Sequence, residues 1–323
     1  MDKKLVSIVI PCYNEEKNIN RTLDDLLKIT DKHKYDFEII AVNDGSKDDT
    51  WTVIKQYAEK YDEIVGINQM TNYGLSDAYQ AGFDVSKGDY VITLAADLEI
   101  PIKNIERVIS YLDQEYDFVN TNRVDRWKGA KMSRQITSNT ANKLITKISK
   151  VEIADRGSGL KGFNRVMIDN LRLYGQMHRF IPDYLSVYGA KMKEFDVKFS
   201  DRDYGESAYA GGFSRTIQVV LDMLSLTFLL YFARKPFNMM PGRLFGFTGV
   251  MITGFGGVLG SYLAFLKFVL GQSIGNRPLL TAAVLLIIVG VQSMMMGLLG
   301  ELLLRIYFES SGRRTYTVRE VIK

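Results

Sequence analysis

Cysteine is nearly absent from this chain of 323 residues. Cys12 stands alone, so no disulfide can form within the chain and a reducing compartment is expected. A catalytic thiol is the sharper reading of Cys12; a small residue at a strand end is the reading preferred here. Net charge is also scarce. A formal +4 is too little to argue for a nucleic-acid partner, though it suits a protein near anionic lipid. The N-terminal MDKKLVSIVIP lacks the long apolar run of a signal peptide and leads straight into a polar loop, so it reads as a first strand. Charge is missing altogether from two stretches. Leu244 to Leu266 carries none over 23 residues, about 34 Å as a helix, and Leu279 to Gly300 carries none over 22.

The mean hydropathy of −0.05 conceals this break in composition. Residues 1–212 mix charged and apolar groups as a soluble domain does. The two uncharged stretches have no further chain left to surround them, so they are expected to cross a membrane. Arg234, Lys235 and Arg243 flank them on one side, and Arg305, Arg313, Arg314 and Arg319 on the other. That bias predicts that the soluble domain and the tail both lie in the cytoplasm, at the inner (plasma) membrane. GFGGVLG at 254–260 has no strand before it, so it reads as helix packing through Gly256 and Gly260 rather than as a dinucleotide loop. Such glycine-spaced spans permit a homo-oligomer. The stretch 214–236 is apolar but interrupted by Asp222 and bounded by cations. It is read as an interfacial helix, with a third span as the alternative.

Within the soluble part, Val6–Ile10, Phe37–Val42 and Tyr90–Leu94 are short apolar runs bounded by turn formers. Helical spacing falls between them, at 16–30, 48–60 and 74–85. The alternation predicts an α/β fold with a mostly parallel sheet covered on both faces, whose ligands bind beyond the carboxyl ends of the strands. PCYNEE, NDGSKDDT and AADLE sit at those ends. Each alone is ordinary turn chemistry, but three converging on one edge point to a site.

IVIPCYNEEKNI, EIIAVNDGSKDDT and TLAADLEIP resemble the nucleotide-sugar half of family 2 glycosyltransferases with the GT-A fold. Further on, DRGSGLKGFNR, LYGQMHRFIP and DRDYGESAY, followed by two terminal spans, resemble the polyprenyl-phosphate glycosyltransferases. The resemblance covers nearly the whole chain. It implies a cytoplasmic catalytic domain at 1–212, a juxtamembrane helix at 213–236, two membrane helices within 237–306 and a tail at 307–323. It further implies transfer of a sugar, with inversion, from a nucleotide-sugar donor, with uridine as the expected base, to a polyprenyl phosphate.

Carried over residue by residue, Pro11, Tyr13 and Glu15 match the loop that holds the nucleoside, and Asp44 the acid that contacts base or ribose. Asn43 stands where the family has a second Asp. Asp97 matches the last acid of the DxD motif, a ligand for the divalent cation that bridges the donor diphosphate. Ala95 replaces the first acid, and Glu99 falls where another ligand is usual. Asp97 and Glu99 are therefore the expected ligands of Mg²⁺ or Mn²⁺. An extended strand end would point both to one side, with Ala95 and Ala96 small where the donor passes. Arg202 is the candidate for the cation that stabilises the leaving phosphate, while Ala208 replaces the family's usual Lys. Arg123, Arg134 and Ser138 match the acceptor-phosphate region, and Asp155 an acid acting there as base or positioning group. For each arginine a solvated surface charge is the alternative, as a structural role is for His178 and Arg179. Two other readings of the whole remain. RVDRW at 123–127 is like part of a processive synthase motif but lacks its Gln, and a scaffold without catalysis would explain Asn43, Ala95 and Ala208.

Overall fold

The computed structural model describes residues 3–30, 34–124, 146, 149, 151–173, 175–199, 241–275, 278–309 and 318–322. Strands and helices alternate as expected: β1 (Leu5–Cys12), α1 (Glu16–Thr30), β2 (Asp36–Asn43), α2 (Thr50–Lys60), β3 (Ile64–Gln69), α3 (Leu75–Val85), β4 (Tyr90–Thr93) and α4 (Asn104–Leu112). Then come β5 (Phe118–Arg123), β6 (Lys161–Asn164), α5 (Arg165–Asn170), α6 (Ile181–Leu185) and β7 (Met192–Val197). Two long helices, α7 (Pro241–Phe268) and α8 (Pro278–Glu309), precede β8 (Val318–Ile322).

The strands form one sheet in the order β7-β5-β6-β4-β1-β2-β3-β8. β1 pairs in parallel with β2 and β4, β2 with β3, and β5 with β7; β6 and β8 run antiparallel to their neighbours. The chain winds outward from β1 to β3 and then crosses back to β4, so its direction reverses between β1 and β4. Such a reversal opens a crevice at the carboxyl ends of the two strands. Both faces of the sheet are covered. Val6, Ile8 and Ile10 of β1 pack in one layer with Ile19, Leu23 and Leu26 of α1 and with Ile54 of α2. Val9 points the other way, into a layer with Ala78, Tyr79 and Phe83 of α3. This period of two, apolar on both sides, marks a doubly buried parallel strand.

β3 and β5–β8 were not singled out in the sequence, and the tail expected at 307–323 contributes β8, which pairs with β3 from Gly66 to Gln69. The chain divides into two units, Met1–Leu230 with Arg314–Lys323, and Tyr231–Arg313. The stretch 213–236 lies outside the described residues.

In the second unit, Leu244–Phe268 and Pro278–Gly300 are long and apolar enough to cross a membrane. Phe247, Val258, Met296 and Leu298 are exposed around these helices, as lipid-facing side chains are. The helices touch through small residues. A Cβ on Gly290 would come within 2.2 Å of Thr253 Oγ1, and one on Gly256 within 3.0 Å of the Ala283 carbonyl. Gly260 has nothing within 4 Å, which corrects the expected Gly256–Gly260 pair. The seam follows a heptad through Gly249, Gly256 and Leu263, with Leu259 and Leu266 on the alternate positions.

Candidate functional site

The loops after β1 and β2 are stitched together at the carboxyl edge. Asn14, held at φ 56°, donates its N–H to Ser46 Oγ (3.0 Å) and accepts the Lys47 N–H on Oδ1 (2.9 Å). Glu15 N–H meets Thr50 Oγ1 at 2.8 Å, and Glu16 N–H meets Asp48 Oδ2 at 3.2 Å. These bonds fix the turn that carries Tyr13 and Glu15, both half-buried, just beyond Pro11. Cys12 beside them is buried, and burial raises its thiol pKa well above the usual range, as suits the inert strand-end residue expected.

Asp44 does not project freely into the crevice. Its carboxylate accepts the backbone N–H groups of Tyr73 (2.8 Å) and Gly74 (3.0 Å), and so ties the loop before α3 to the end of β2. Burial pushes its pKa up to about 6, against the pull of those two N–H groups. Gly45 makes this closure possible. It sits at φ +63°, and a Cβ there would lie 2.3 Å from the Thr71 carbonyl carbon. Asn43 is buried, donating to Asn68 Oδ1 at 2.8 Å and accepting the Ser46 N–H at 3.2 Å. An amide can do both where a carboxylate could only accept.

Across the crevice, β4 ends at Thr93, and Ala95–Leu98 turns back on itself with Leu98 at φ 51°. The segment is therefore not extended, and the alternation expected to aim Asp97 and Glu99 together does not hold. Asp97 Oδ1 accepts the N–H of Glu99 at 3.3 Å, while Glu99 Oε2 turns to Arg123 Nη1 at 3.0 Å. The alanines are small for packing within the chain. A Cβ on Gly159 would come within 2.9 Å of Ala95 Cβ, and Ala96 is buried in the core with its carbonyl held by Thr22 Oγ1.

Arg123, at the end of β5, gathers the charges. Its Nε and Nη2 bind Asp155 Oδ2 and Oδ1 at 2.7 and 3.1 Å while Nη1 holds Glu99. The side chains of Arg123, Asp155 and Glu99 are only 10%, 6% and 15% exposed. Burial lowers the arginine's pKa, but its bonds to Asp155 and the charge of Glu99 outweigh that, and the net shift is upward. The sequence signal for this cluster was present at all three positions, though not their mutual contact.

Two further charged groups were missed. Lys161 on β6 is fully buried between Thr93 of β4 and Asn120 of β5, and its Nζ donates to the Ser158 carbonyl. Burial drags its pKa down to about 7 despite the charge of Asp155 nearby. Glu194 on β7 accepts the N–H groups of Ala154 (2.9 Å) and Asp155 (3.1 Å). Behind them, Arg156 and Asp183 form a buried pair at 2.9 and 3.0 Å, with the remaining guanidinium hydrogens on the carbonyls of Val151 and Ile153 and on Thr146 Oγ1. A lysine or glutamate inside a strand carries no sequence mark of its burial, because charged residues are by default exposed. His178 is tied to α3, with Nδ1 2.9 Å from Ser76 Oγ and its backbone N–H donated to the same oxygen at 3.1 Å. Arg134, Ser138 and Arg202 lie outside the described residues.

Among the described residues no three His, Cys, Asp or Glu side chains gather into a ready-made metal cage. The donor set still suits a cation of the Mg²⁺ class, which is held by one or two carboxylates together with substrate phosphates. Asp97 supplies such a carboxylate at the crevice, while Glu99 already faces a guanidinium.

Comparison with known proteins agrees with this architecture. The chain is 32% identical over 320 residues to a dodecaprenyl-phosphate galacturonate synthase of Rhizobium johnstonii, covering 98% of this chain and 92% of that protein. It is 32% identical over 327 residues to an undecaprenyl-phosphate 4-deoxy-4-formamido-L-arabinose transferase of Aeromonas hydrophila, covering 100% and 95%. Among solved structures, mannosyl-3-phosphoglycerate synthase from Rubrobacter xylanophilus superposes with a TM-score of 0.55 at 18% identity, over 69% of this chain and 74% of that one. Glucosyl-3-phosphoglycerate synthase from Mycobacterium tuberculosis, solved with Mn²⁺ and UDP-glucose, superposes with a TM-score of 0.51 at 15% identity, over 69% and 80%. With residues 7–172 matching the family itself, the chain belongs to glycosyl transferase family 2 and is a glycosyltransferase.

Proposed function

We propose that this enzyme transfers a sugar from a nucleotide-sugar donor, UDP-linked, to a polyprenyl phosphate at the cytoplasmic face of the membrane, with inversion at the anomeric carbon. The observation that carries the reading is the cluster of Arg123, Asp155 and Glu99 at the carboxyl edge of the sheet, beside the Asp97 turn. It holds a desolvated cation and an acid, the groups that orienting a phosphate acceptor requires. The full-length similarity to polyprenyl-phosphate transferases supports that acceptor class.

On this reading, the stitched loops at Tyr13–Glu15 and Asp44–Ser46 hold the nucleoside. Asp97 holds a divalent cation, Mg²⁺ or Mn²⁺, which when bound neutralises charge on the departing diphosphate. Glu99 keeps Arg123 in place rather than binding metal. The acceptor phosphate is already mostly dianionic at neutral pH, since its second pKa is near 6. It needs orientation and removal of water more than deprotonation. Arg123 offers it the second N–H of Nη1 and of Nη2, since Asp155 and Glu99 take the others, and Asp155 sets their direction. Arg134, Ser138 and Arg202 remain assigned by resemblance to the acceptor and the leaving group. Asn43 and Ala95 each do a structural job here, so their departure from the family motif does not argue for a lost activity.

The test is a screen of UDP-linked hexoses and hexuronates against undecaprenyl phosphate with full-length protein in detergent, read by product mass. A lipid-phosphate-sugar together with released nucleoside diphosphate supports the reading. Sugar transfer only to water, or growth of a polymer on a primer, overturns the acceptor assignment.

A further inference from the structure

Asp155 is held through its N–H, its carbonyl and its carboxylate. Its N–H is taken by Glu194 Oε1 at 3.1 Å, its carbonyl by Asn120 Nδ2 at 3.0 Å, and its carboxylate by Arg123. Two of those contacts come from one pair, because Asn120 Nδ2 also donates to Glu194 Oε1 at 2.7 Å. Asn120 and Glu194 are register neighbours on the parallel strands β5 and β7. The second glutamate oxygen, Oε2, takes the Ala154 N–H at 2.9 Å. Glu194 forms no salt bridge among the described residues; its carboxylate accepts from two backbone N–H groups and one amide. A carboxylate is the only ordinary side chain of this length that accepts on both oxygens at once. The Glu194 carboxylate lies against the Asp155 backbone, and Lys161 is buried next to the same cluster.

We propose that Glu194, working with Asn120, is a positioning residue for the transfer reaction: it fixes the backbone of Ala154 and Asp155, so that the Asp155 carboxylate aims the Arg123 guanidinium at the acceptor phosphate. The assignment rests on the reading of Asp155 and Arg123 given above. It acts through Asp155 and touches neither substrate.

The test is a double-mutant cycle in the full-length enzyme, with undecaprenyl phosphate and the donor that the screen identifies. In Glu194→Gln one oxygen still accepts, but an NH₂ group faces the Ala154 N–H, donor against donor. A displacement of the reacting groups by an ångström can cost on the order of a hundredfold in rate, so a ten- to hundredfold fall in kcat is expected. Nucleotide affinity should stay within about twofold, because the donor loops lie on the β1 and β2 side. The decisive comparison is in the Asp155→Asn background, where Glu194→Gln should change kcat by less than about twofold, since its target is already gone. Multiplying effects in the double variant would show that Glu194 supports the fold alone, and would overturn the proposal. If Asp155→Asn by itself retains full activity, the reading of Asp155 fails instead. If no donor is used at all, the functional reading falls and this assignment falls with it. Where Glu194→Gln does not fold, Asn120→Ser, which releases the Asp155 carbonyl, enters the same cycle with the same expectation.

Discussion

Arg123 and Asp155 face each other through two parallel hydrogen bonds, Nε to Oδ2 at 2.7 Å and Nη2 to Oδ1 at 3.1 Å, and both side chains are at most one-tenth exposed. Truncating one partner of such a pair strands the other charge, which costs about 3–5 kcal/mol of stability. Arg123→Ala should therefore lower the thermal midpoint. It should also raise the acceptor KM about ten- to a hundredfold, the worth of one lost charged hydrogen bond, while nucleotide affinity holds. Arg123→Lys keeps the charge but not the fork, and should fall between. Loss of nucleotide binding with the acceptor KM unchanged would remove Arg123 from the acceptor site.

The metal assignment separates two acids that the sequence placed together. Asp97→Asn should raise the Mn²⁺ concentration for half-maximal rate about tenfold or more, because Mg²⁺-like ions have few protein ligands to lose. Glu99→Gln should leave that titration near wild type and shift the acceptor KM instead, since its partner is Arg123. Equal shifts in both metal titrations would return Glu99 to the ligand set.

Lys161 makes stability depend on pH in a defined window. Its pKa is about 7 in the folded chain, against 10.5 when free, so between these values the unfolded state binds the additional proton. Stability from this group therefore rises with pH from about 7 to about 10.5, and its penalty is fully present below 7. Lys161→Met removes the penalty. The variant should melt higher than wild type at pH 7, and the gap should narrow as pH climbs to 10. A gap that widens with pH would mean the lysine is charged and stabilising in place.

Arg156 and Asp183 are 3% and 0% exposed, with every guanidinium nitrogen bonded. Arg156→Ala should cost about 3–5 kcal/mol, read as a large drop in thermal midpoint. The double change Arg156→Met with Asp183→Leu should recover much of that loss, because it leaves no buried charge behind. No recovery would show that the carbonyls of Val151 and Ile153, rather than Asp183, are what the arginine is there to satisfy.

β1, β2, β4 and the two long helices were legible because apolar period and absence of charge are local signals. Val6–Ile10, Phe37–Val42 and Tyr90–Leu94 extend by at most two residues beyond, or one short of, their expected ends. β5 to β7 were not read because their strands are short and polar-rich: NTNR closes one, and KGFN is another. Their burial comes from neighbours distant in sequence, which no local window contains. The site divides the same way. Asp97, Glu99, Arg123 and Asp155 stand out by motif, but that Glu99 belongs to Arg123 depends on Leu98 turning through a positive φ. Glu194 and Lys161 carried no signal, since their roles consist entirely of what folds against them.

β8 has a consequence for counting. It is hydrogen-bonded to β3, in the same sheet as β1, yet α7 and α8 lie between it and the rest of that sheet along the chain. A chain that leaves a sheet through a bilayer and returns to the same sheet has crossed an even number of times. With 214–236 at the interface, α7 and α8 crossing together satisfy that parity, whereas three crossings, with 214–236 as a further span, would break it. A five-residue strand at the sheet's edge thereby acts as a check digit on the membrane topology.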